Sequence, residues 1–566
     1  MKISTKKIKQ ISIALLLASS LTSCDIEVIP QNSYVEESVW EDPATVELYI
    51  NGMYAEFKNF QFGVFPGLGY DNATDALTDI MKFTSNTLGN GTVNTLASNA
   101  NQFSPASVGL NYWSTGYNRI RRVNEFLKGL KTKSKLTADE QVRYEAEARF
   151  IRAYVYSWLA RIHGSVVIFK DLDQYALKDN ERASETEVYD FMIEDLSFAA
   201  ANLPKTQPSG RANKGAANAL LARVAVYAGS IATNDRKLYN TDPKTGIDQN
   251  LAKGYYEAAL RATQEVDKLA AEGIYDLDPE FAHIFSDKNT KEAIFRVDFV
   301  APAITHQYDL GYVPPSDAPG NALVYGVPTA ELVDAFQMAD GTPFSWSNPT
   351  HAAQPYENRE DRFYATILYN GAAWKGRTIR TSIEDPVDGF AAFGSTGDPK
   401  RTVTGYYAKK LLDESNTTFV MNRSTQSWIE LRYAETVLIA AEAKAQLGDF
   451  PGATAAINKL RAKRGLNNVN VTNLTTAMRA VEHERIVELA FEGHRFWDLR
   501  RWRKAHIQLN NVQFSGHRIS SSGNTASFEV VSADAVNRSF TGKLYYLPIP
   551  EGEVQVNTGL TQIQGW

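Results

Sequence analysis

Apolar side chains recur every three or four residues over two long parts of the chain, a spacing that predicts amphipathic helices. In the first part, Ile120, Val123 and Leu130 mark the apolar face of a predicted helix over 117–130. The pattern predicts further helices over 138–162, 187–203, 211–229 and 251–272, and in the second part over 429–447 and 453–464. A mainly α-helical scaffold follows from this pattern.

Two stretches interrupt the helical pattern. Residues 60–111 are rich in Gly, Asn, Thr and Ser, and from residue 275 to residue 419 Gly, Pro, Asp and aromatic residues dominate. Structureless loops longer than about 15 residues are uncommon in compact domains, so loops of this length indicate a function. We therefore expect long irregular loops and short strands inserted into the helical scaffold, with ligand-contacting residues among them.

The run from Glu482 to Trp502 combines an apolar stripe with an unusual density of charge. Pairs of opposite charge, which could meet on one helix surface, stand three residues apart: Glu482 with Arg485, Glu492 with Arg495, and Asp498 with Arg501. So many charges beside Phe and Trp rings predict a helix packed against other elements, with arginine stems covering the rings. Gly493 costs about 1 kcal/mol in a helix, which predicts a bend or a closely approaching backbone.

Three enzyme motifs are incomplete or absent. His483-Glu484 begins like the zinc motif H-E-x-x-H, but Val487 stands where the second histidine belongs. Gly210 and Gly215 have the spacing of a phosphate-binding loop, but no Lys or Ser/Thr follows them. There is also no G-x-S-x-G nucleophile motif. We therefore predict a non-enzymatic protein with no catalytic residues, no metal site and no cofactor.

The N-terminus has the features of an export signal. Four lysines precede an apolar stretch, 11–21, that is too short to span a bilayer of about 30 Å, and we predict a signal over residues 1–23. Small residues directly before the only cysteine, Cys24, resemble a bacterial lipobox, in which Cys24 is lipid-modified. The alternative is an ordinary signal with a chance cysteine. A lipid would anchor the protein to a membrane without spanning it.

Bulk composition adds two exclusions. A single cysteine excludes a disulfide within the chain and a cysteine-based metal site. The net charge of −6 and the lack of a clustered basic face exclude nucleic acid as an expected partner. The aromatic content of 11% is generous and suits a surface that stacks on flat or sugar-like ligands.

Several segments together resemble the SusD/RagB family of outer-membrane nutrient-uptake lipoproteins. The resemblance rests on the lipobox, on E-A-R-F-I-R-A-Y (147–154), on the run 482–502 and on the closing segment with Y-Y-L-P-I-P (545–550). It implies a tetratricopeptide-like scaffold of helical pairs with loop and short-strand insertions. Asp25 and Glu27 resemble a surface-export signal, which implies a lipid anchor in the outer membrane with the body facing the cell exterior.

This resemblance gives the expected organisation of the chain. A single SusD-like body over 24–566 would follow the signal. Within it we expect an N-terminal segment and ligand loop (24–112), a helical scaffold (113–274), a loop-rich ligand-facing insertion (275–427), and a C-terminal helical pair, signature helix and closing segment (428–566).

The resemblance also implies a function. The protein would capture a nutrient, an oligosaccharide or else a peptide, as the lid of a SusC-like, TonB-dependent β-barrel transporter. Aromatic rings would stack on sugar faces while carboxylates, amides and arginines orient hydroxyl groups. The candidate ligand-binding residues from the two loop regions are Asp71, Asn72, Asp75, Trp346, Trp374, Arg380 and Tyr407.

Two other functions stay open at this stage. A surface glycoside hydrolase would need two carboxylates about 5 to 9.5 Å apart, and no catalytic spacing stands out in the sequence. The second open function is that of a helical-repeat lipoprotein of the outer membrane, which binds peptides or scaffolds an assembly. Such repeats form concave binding surfaces.

Overall fold

The computed structural model describes residues 39–59, 74–84, 91–103, 105–234, 242–393, 400–416, 423–522 and 525–566. The predicted export signal, the lipidation candidate Cys24 and the ligand candidates Asp71 and Asn72 lie outside these ranges. Within them, eighteen α-helices and ten short strands follow one another along the chain. The predicted fold class, mainly α with short-strand insertions, is confirmed.

The helices are α1 (Pro43–Tyr54), α2 (Gly91–Ser98), α3 (Trp113–Thr132), α4 (Ala138–His163), α5 (Glu185–Asn202), α6 (Lys214–Asn234), α7 (Ala252–Ala271), α8 (His283–Ser286), α9 (Tyr308–Tyr312), α10 (Ala330–Ala335), α11 (Pro349–Ala353), α12 (Asp361–Thr366), α13 (Tyr433–Gln446), α14 (Phe450–Lys463), α15 (Leu474–Glu488), α16 (Arg495–Arg501), α17 (Ala505–Gln508) and α18 (Glu551–Val556). The strands are β1 (Met81–Phe83), β2 (Ala293–Val297), β3 (Gly326–Pro328), β4 (Ile367–Leu368), β5 (Ala373–Trp374), β6 (Arg377–Thr378), β7 (Tyr407–Ala408), β8 (Trp428–Arg432), β9 (Ser515–Ser522) and β10 (Thr525–Ser532).

The long helices pack side by side in chain order. α3 packs on α4, α4 on α5, α5 on α6 and α6 on α7. The chain then leaves this stack and returns as α13, which packs on both α7 and α14. The main apolar core reaches from Trp40 to Ile563, so the first and last described segments share it. Periodicity predicted the helices of this scaffold, and the family resemblance implied that they stack as helical pairs.

Helix α6 lies at the centre of the stack. It is long and apolar enough to cross a membrane, but its apolar stretch is entirely buried inside the protein, which identifies it as a core helix. A Cβ atom added at Gly215 would lie 2.2 Å from the Tyr275 hydroxyl, and one at Gly229 would lie 3.0 Å from the Tyr256 ring. The small residues of α6 therefore allow its neighbours to approach closely.

The strands form five antiparallel pairs: β1 with β3, β2 with β8, β4 with β7, β5 with β6, and β9 with β10. One of them corrects a helix prediction. Residues 428–432 form the buried strand β8 against β2, so the helix expected from residue 429 begins at Tyr433. Periodicity cannot separate a short buried strand from the start of a buried helix.

The charged run 482–502 is two helices rather than one. Helix α15 ends at Glu488, and Phe491 and Gly493 take positive φ angles of 64° and 73° before α16 begins. Of the three expected i,i+3 pairs, Asp498 with Arg501 forms, at 2.8 Å. The break redirects the other side chains, so that Glu482 meets Arg495 at 3.2 Å.

The redirected charges are buried and join distant parts of the chain. Glu492 pairs with Lys410 at 2.6 Å and with Arg432 at 2.7 Å. Arg432 also reaches Glu292 and Glu488, each at 2.7 Å. These five side chains are all buried. Because buried carboxylates and guanidiniums satisfy one another here, the run ties the loop-rich insertion to the helical stack.

The last residues lie across the scaffold as an extended segment. The Leu547 N–H donates to the Ile162 carbonyl at 2.8 Å, and the His163 Nδ1 lies 2.9 Å from the Leu547 carbonyl oxygen. The Trp566 indole N–H donates to the Tyr546 carbonyl at 3.0 Å. Leu547 and Ile549 are buried against the main core, so this segment closes the end of α4.

Candidate ligand-binding surfaces

Three of the predicted ligand residues belong to one small strand module. Strand β4 pairs with β7, which contains Tyr407, and the hairpin β5–β6 contains Trp374. The hairpin is extended by hydrogen bonds between Gly371 and Ile379 and between Ile379 and Ala372, and Arg380 follows directly. The structure therefore brings Trp374 and Tyr407 into one apolar cluster, although they are distant in sequence, and Arg380 follows the extended hairpin.

The three residues of this module differ in what they present to a ligand. Tyr407 is fully buried, and its hydroxyl donates to the Asp388 carbonyl at 2.8 Å. Trp374 is 1% exposed, and its indole N–H donates to Asp317 at 2.7 Å. Arg380 is exposed. The Tyr407 and Trp374 rings therefore build the module, while the Arg380 guanidinium faces solvent.

A cleft of about 770 Å³ opens beside Trp374. Its walls come from residues 282–288, 409–415 and 425–427. Buried Asp309 fixes two of these walls, because it accepts hydrogen bonds from the Asp413 N–H at 3.1 Å, from the Gln426 amide at 2.9 Å and from the Ser424 hydroxyl. The cleft is preorganised, and its walls combine polar and charged side chains with apolar ones such as Ile284, Leu411 and Leu412.

Trp346 belongs to a separate aromatic surface, which we name the aromatic row: Trp346, Phe528, Tyr356 and Tyr369. Successive ring centroids lie 5.4, 5.7 and 4.6 Å apart. All four side chains are partly exposed. The row is therefore a continuous set of contacting rings, each of which keeps part of its surface exposed.

Two elements hold the aromatic row in place. The hairpin β9–β10 pairs Phe528 with Ile519 and so sets Phe528 beside Trp346. The Trp346 indole N–H donates to Asp334 at 2.9 Å, which orients the ring. Burial raises the pKa of Asp334 to about 6, although the Trp346 N–H opposes that rise. Asp334 is therefore mainly a carboxylate at pH 7.

His517 supports Trp346 from the inner side. Its ring lies 4.7 Å from the Trp346 ring, and its Nδ1 lies 2.7 Å from the Tyr406 hydroxyl. Burial lowers the pKa of His517 to about 4, so the imidazole is neutral at pH 7. A neutral, hydrogen-bonded His517 packs as a rigid backing for the row and adds no charge to it.

The sequence predicted Trp346 alone among the four rings of the row. Tyr356 and Tyr369 lie in the loop-rich region, which contains many aromatic residues, and the sequence does not show which of them contact a ligand. Phe528 lies in a hairpin that the helical pattern does not predict. Alternating polar and apolar residues over 525–532 were the available signal for that strand. Such a row can stack on the apolar faces of a chain-like ligand.

Asp75 lies away from solvent, against the charged run. It is fully buried, and neither carboxyl oxygen has a hydrogen-bond partner at bonding geometry. Burial raises the pKa of Asp75 to about 7, while Gly493 and Lys410 lower it and Glu492 raises it further. Among the described residues, no group of three or more His, Cys, Asp or Glu side chains could hold a metal ion. Asp75 thus offers no surface to a large ligand.

Two protein-family models match the chain. The model described as the SusD family matches residues 283–566. A second model, described as "Starch-binding associating with outer membrane", matches residues 34–226. Together they cover most of the helical stack and of the loop-rich insertion, with α7 lying between the two matches.

Relatives and solved structures match over most of the chain. SusD-like protein P2 of Formosa agariphila is 25% identical and aligns over 98% of each chain. A SusD-like protein of Bacteroides ovatus is also 25% identical, over 77% of this chain and 71% of its own. The crystal structure of a SusD-like protein from Bacteroides fragilis has a TM-score of 0.77 at 28% identity, over 94% of this chain and 98% of that one.

More distant structures share the fold. A SusD-like carbohydrate-binding protein from Bacteroides fragilis has a TM-score of 0.73 at 22% identity, over 93% of this chain and 100% of that one. A laminarin-binding SusD-like protein has a TM-score of 0.64 at 21% identity, with the same coverage. Since the SusD family model alone matches half of the sequence, and these relatives align along nearly all of it, the chain belongs to the SusD family.

Proposed function

We propose that the protein captures an oligosaccharide at the cell surface, without chemistry, as the lid of a SusC-like, TonB-dependent transporter. The observation that carries this proposal is the match of the SusD family and outer-membrane starch-binding models to residues 283–566 and 34–226. Solved structures of the same fold include a carbohydrate-binding and a laminarin-binding protein.

The aromatic row is the ligand surface that this function favours. Sugars bind proteins by laying their apolar C–H faces on aromatic rings, which requires ring faces open to solvent. The four rings of the row are partly exposed and contiguous, whereas Trp374 in the cleft is 1% exposed. A row of several rings can also contact successive units of a linear oligosaccharide, whereas a pocket with a single ring contacts one unit.

Polar groups next to the row would fix the orientation of the sugar. Asn370 follows Tyr369 directly, and its side-chain oxygen accepts the Thr381 N–H at 2.9 Å. That hydrogen bond holds the exposed Arg380 close to the Tyr369 end of the row. The Asn370 amide NH₂ and the Arg380 guanidinium are donors for hydroxyl groups. Asp71 and Asn72 remain proposed contributors from the first loop region.

A binding role without catalysis is supported by the groups at the row. Glycoside hydrolysis needs an acid and a second carboxylate on either side of the scissile bond. Asp334 has a raised pKa at the row, and one of its carboxyl oxygens accepts the Trp346 N–H. Because Asp334 already holds the Trp346 ring, the row favours stacking on a ligand over acid catalysis by this carboxyl group.

The proposed place of the protein rests on its N-terminus. A lipid on Cys24 would tether the body to the outer membrane, and the aromatic row would close over the transporter with the sugar between them. Purification from detergent-solubilised membranes is expected to recover a TonB-dependent barrel as the main partner. Recovery of periplasmic assembly factors in its place would favour a scaffold function and contradict the lid.

Trp346→Ala and Phe528→Ala are each expected to weaken oligosaccharide binding roughly tenfold or more, because a central aromatic contact contributes about 1.5–2 kcal/mol or more. The measurement is isothermal titration with the oligosaccharide that binds best in a glycan panel. Thermal denaturation of each variant, recorded alongside, separates lost binding from lost folding.

Val530→Ala is the matched control, because Val530 is exposed on the same strand as Phe528 and lies outside the row. Its affinity is expected to equal that of the unaltered protein. If both row variants bind with unchanged affinity while Gln426→Ala binds more weakly, the row is not the binding surface. The ligand would then bind in the cleft beside Trp374.

A further inference from the structure

A buried turn lies behind the aromatic row. It consists of residues 402–406, all of which are buried, and we name it the support turn. The Thr402 hydroxyl oxygen accepts the backbone N–H groups of residues 404, 405 and 406 at 3.2, 2.9 and 3.0 Å. A single side chain therefore satisfies three backbone donors of the turn and fixes its shape.

The support turn packs tightly on strand β9. The His517 N–H donates to the Thr404 carbonyl at 2.8 Å. Gly405 takes a positive φ angle of 86°, and a Cβ atom added there would lie 2.2 Å from the His517 carbonyl oxygen. Glycine alone avoids both the backbone strain and this overlap. Because β9 pairs with β10, the turn also holds the hairpin that carries Phe528.

The Tyr406 hydroxyl contacts two groups that position rings of the row. Tyr406 is fully buried, and its hydroxyl oxygen lies 2.7 Å from the His517 Nδ1, while the His517 ring lies 4.7 Å from the Trp346 ring. The Tyr356 hydroxyl lies 3.4 Å from the same oxygen, and the Tyr356 and Tyr406 rings meet edge to face at 6.2 Å. One buried hydroxyl group therefore contacts both the backing of Trp346 and the polar end of Tyr356.

The strand that follows the support turn reaches the last ring of the row. Tyr407 on β7 pairs with Leu368 on β4, and Tyr369 follows Leu368 directly. Each of the four rings is therefore linked to the support turn or to the strand that continues it. A ring that is already held in place loses less conformational freedom when a ligand binds, which favours affinity.

We propose that Tyr406 is a positioning residue of the ligand surface: it contacts no ligand and holds Trp346 and Tyr356 in the orientation that stacks on sugar. This inference rests on the proposed function and adds to it a buried residue. Without the Tyr406 hydroxyl, the His517 Nδ1 has no other described partner, so the imidazole can turn and Trp346 loses its fixed backing. Tyr356 loses the contact at its polar end.

The test is Tyr406→Phe, which removes one oxygen atom and keeps the ring. We expect its affinity for the panel oligosaccharide used with Trp346→Ala to fall roughly fivefold, which is the effect of about one hydrogen bond. Tyr156→Phe is the control, because Tyr156 on α4 is also fully buried and its hydroxyl accepts the Phe169 N–H at 2.8 Å. The control should bind with unchanged affinity, and equal losses in both variants would overturn the proposal.

A second measurement, without ligand, reports on Trp346 itself. The full chain is labelled with fluorotryptophan, and the Trp346 signal is the one that disappears from the fluorine NMR spectrum of Trp346→Phe. Tyr406→Phe is expected to broaden or split this signal, because the ring then takes more than one orientation, whereas Tyr156→Phe leaves it unchanged. An unchanged signal in Tyr406→Phe, or an altered signal with unaltered affinity, would overturn the proposal.

The two measurements also separate this proposal from the proposed function. If the unaltered protein binds no glycan of the panel, the proposed function fails. The Trp346 signal then decides by itself whether Tyr406 positions the ring.

Discussion

Arg432→Met is expected to destabilise the protein by about 3–5 kcal/mol, or to prevent folding altogether. Arg432 is 2% exposed and reaches Glu292, Glu488 and Glu492, each at 2.7 Å, and also the Glu488 carbonyl at 2.7 Å. When the Arg432 guanidinium is removed, each of the three carboxylates loses one of its positively charged partners. All three are buried, so water cannot replace that partner. Breaking one member of a buried ion network is far more costly than replacing the whole network by apolar residues.

The measurement is the free energy of unfolding from urea denaturation, provided that the transition is two-state. Lys268→Ala is the control, because Lys268 forms an exposed pair with Glu265 in α7 and its loss should cost less than 1 kcal/mol. A cost for Arg432→Met as small as that of the control would mean that the buried network does not hold the insertion to the stack.

The same network predicts how stability depends on pH. Burial alone would raise the pKa of Glu488, but Arg464 and Arg432 hold it well below its ordinary value of 4.5. The stability that Glu488 contributes is therefore complete above about pH 4.5 and is lost as the pH falls through the lowered pKa. Arg432→Met should weaken this acid sensitivity, because one of the charges that lower the pKa is then gone.

Trp374→Ala is expected to destabilise the protein by about 3–5 kcal/mol, the usual cost of removing a buried tryptophan side chain. Trp374 is 1% exposed, packs in a core cluster with Leu368, Ile379 and Tyr407, and donates its N–H to Asp317. Truncation leaves a large cavity in this strand module. The sequence predicts that Trp374 is an aromatic residue in a loop that contacts ligand. Its burial in the structure indicates that the ring packs in the core of the strand module.

Arg380→Ala is the comparison for an exposed residue of the same module, because Arg380 is exposed and lies two residues after the end of β6. Its stability should stay within about 0.5 kcal/mol of the unaltered protein, as for most surface substitutions. Thermal and urea denaturation of both variants make the comparison. A Trp374→Ala protein as stable as Arg380→Ala would show that the strand module does not depend on the buried ring.

The sequence predicts the helical stack well because the information is local. The spacing around Ile120, Val123 and Leu130 predicts α3, and a capping box between Thr137 and Glu140 begins α4. Each of these signals lies within a few residues of the element it specifies. Strand β8 was missed because its pairing partner, β2, lies far away in sequence.

The ligand surface could be predicted only in part, for the same physical reason. Trp346 was a candidate because it is a tryptophan in a long loop, but the row exists through its contact with Phe528, which a distant hairpin supplies. The sequence predicts that the charged run packs against other elements, yet only one of its three expected local pairs, Asp498 with Arg501, forms among the described contacts. Arg495 and Glu492 find partners from other segments, such as Asp79 and Arg432, which sequence spacing does not reveal.

Capture without cleavage is the central claim, and it is tested most directly by following one oligosaccharide through the protein. The purified protein is incubated with a defined glycan pool, and the retained and free fractions are then analysed by chromatography and mass spectrometry. The account predicts that one class of glycan is retained and is released at its original length upon denaturation. Shortened products, or no retention of any glycan, would contradict it.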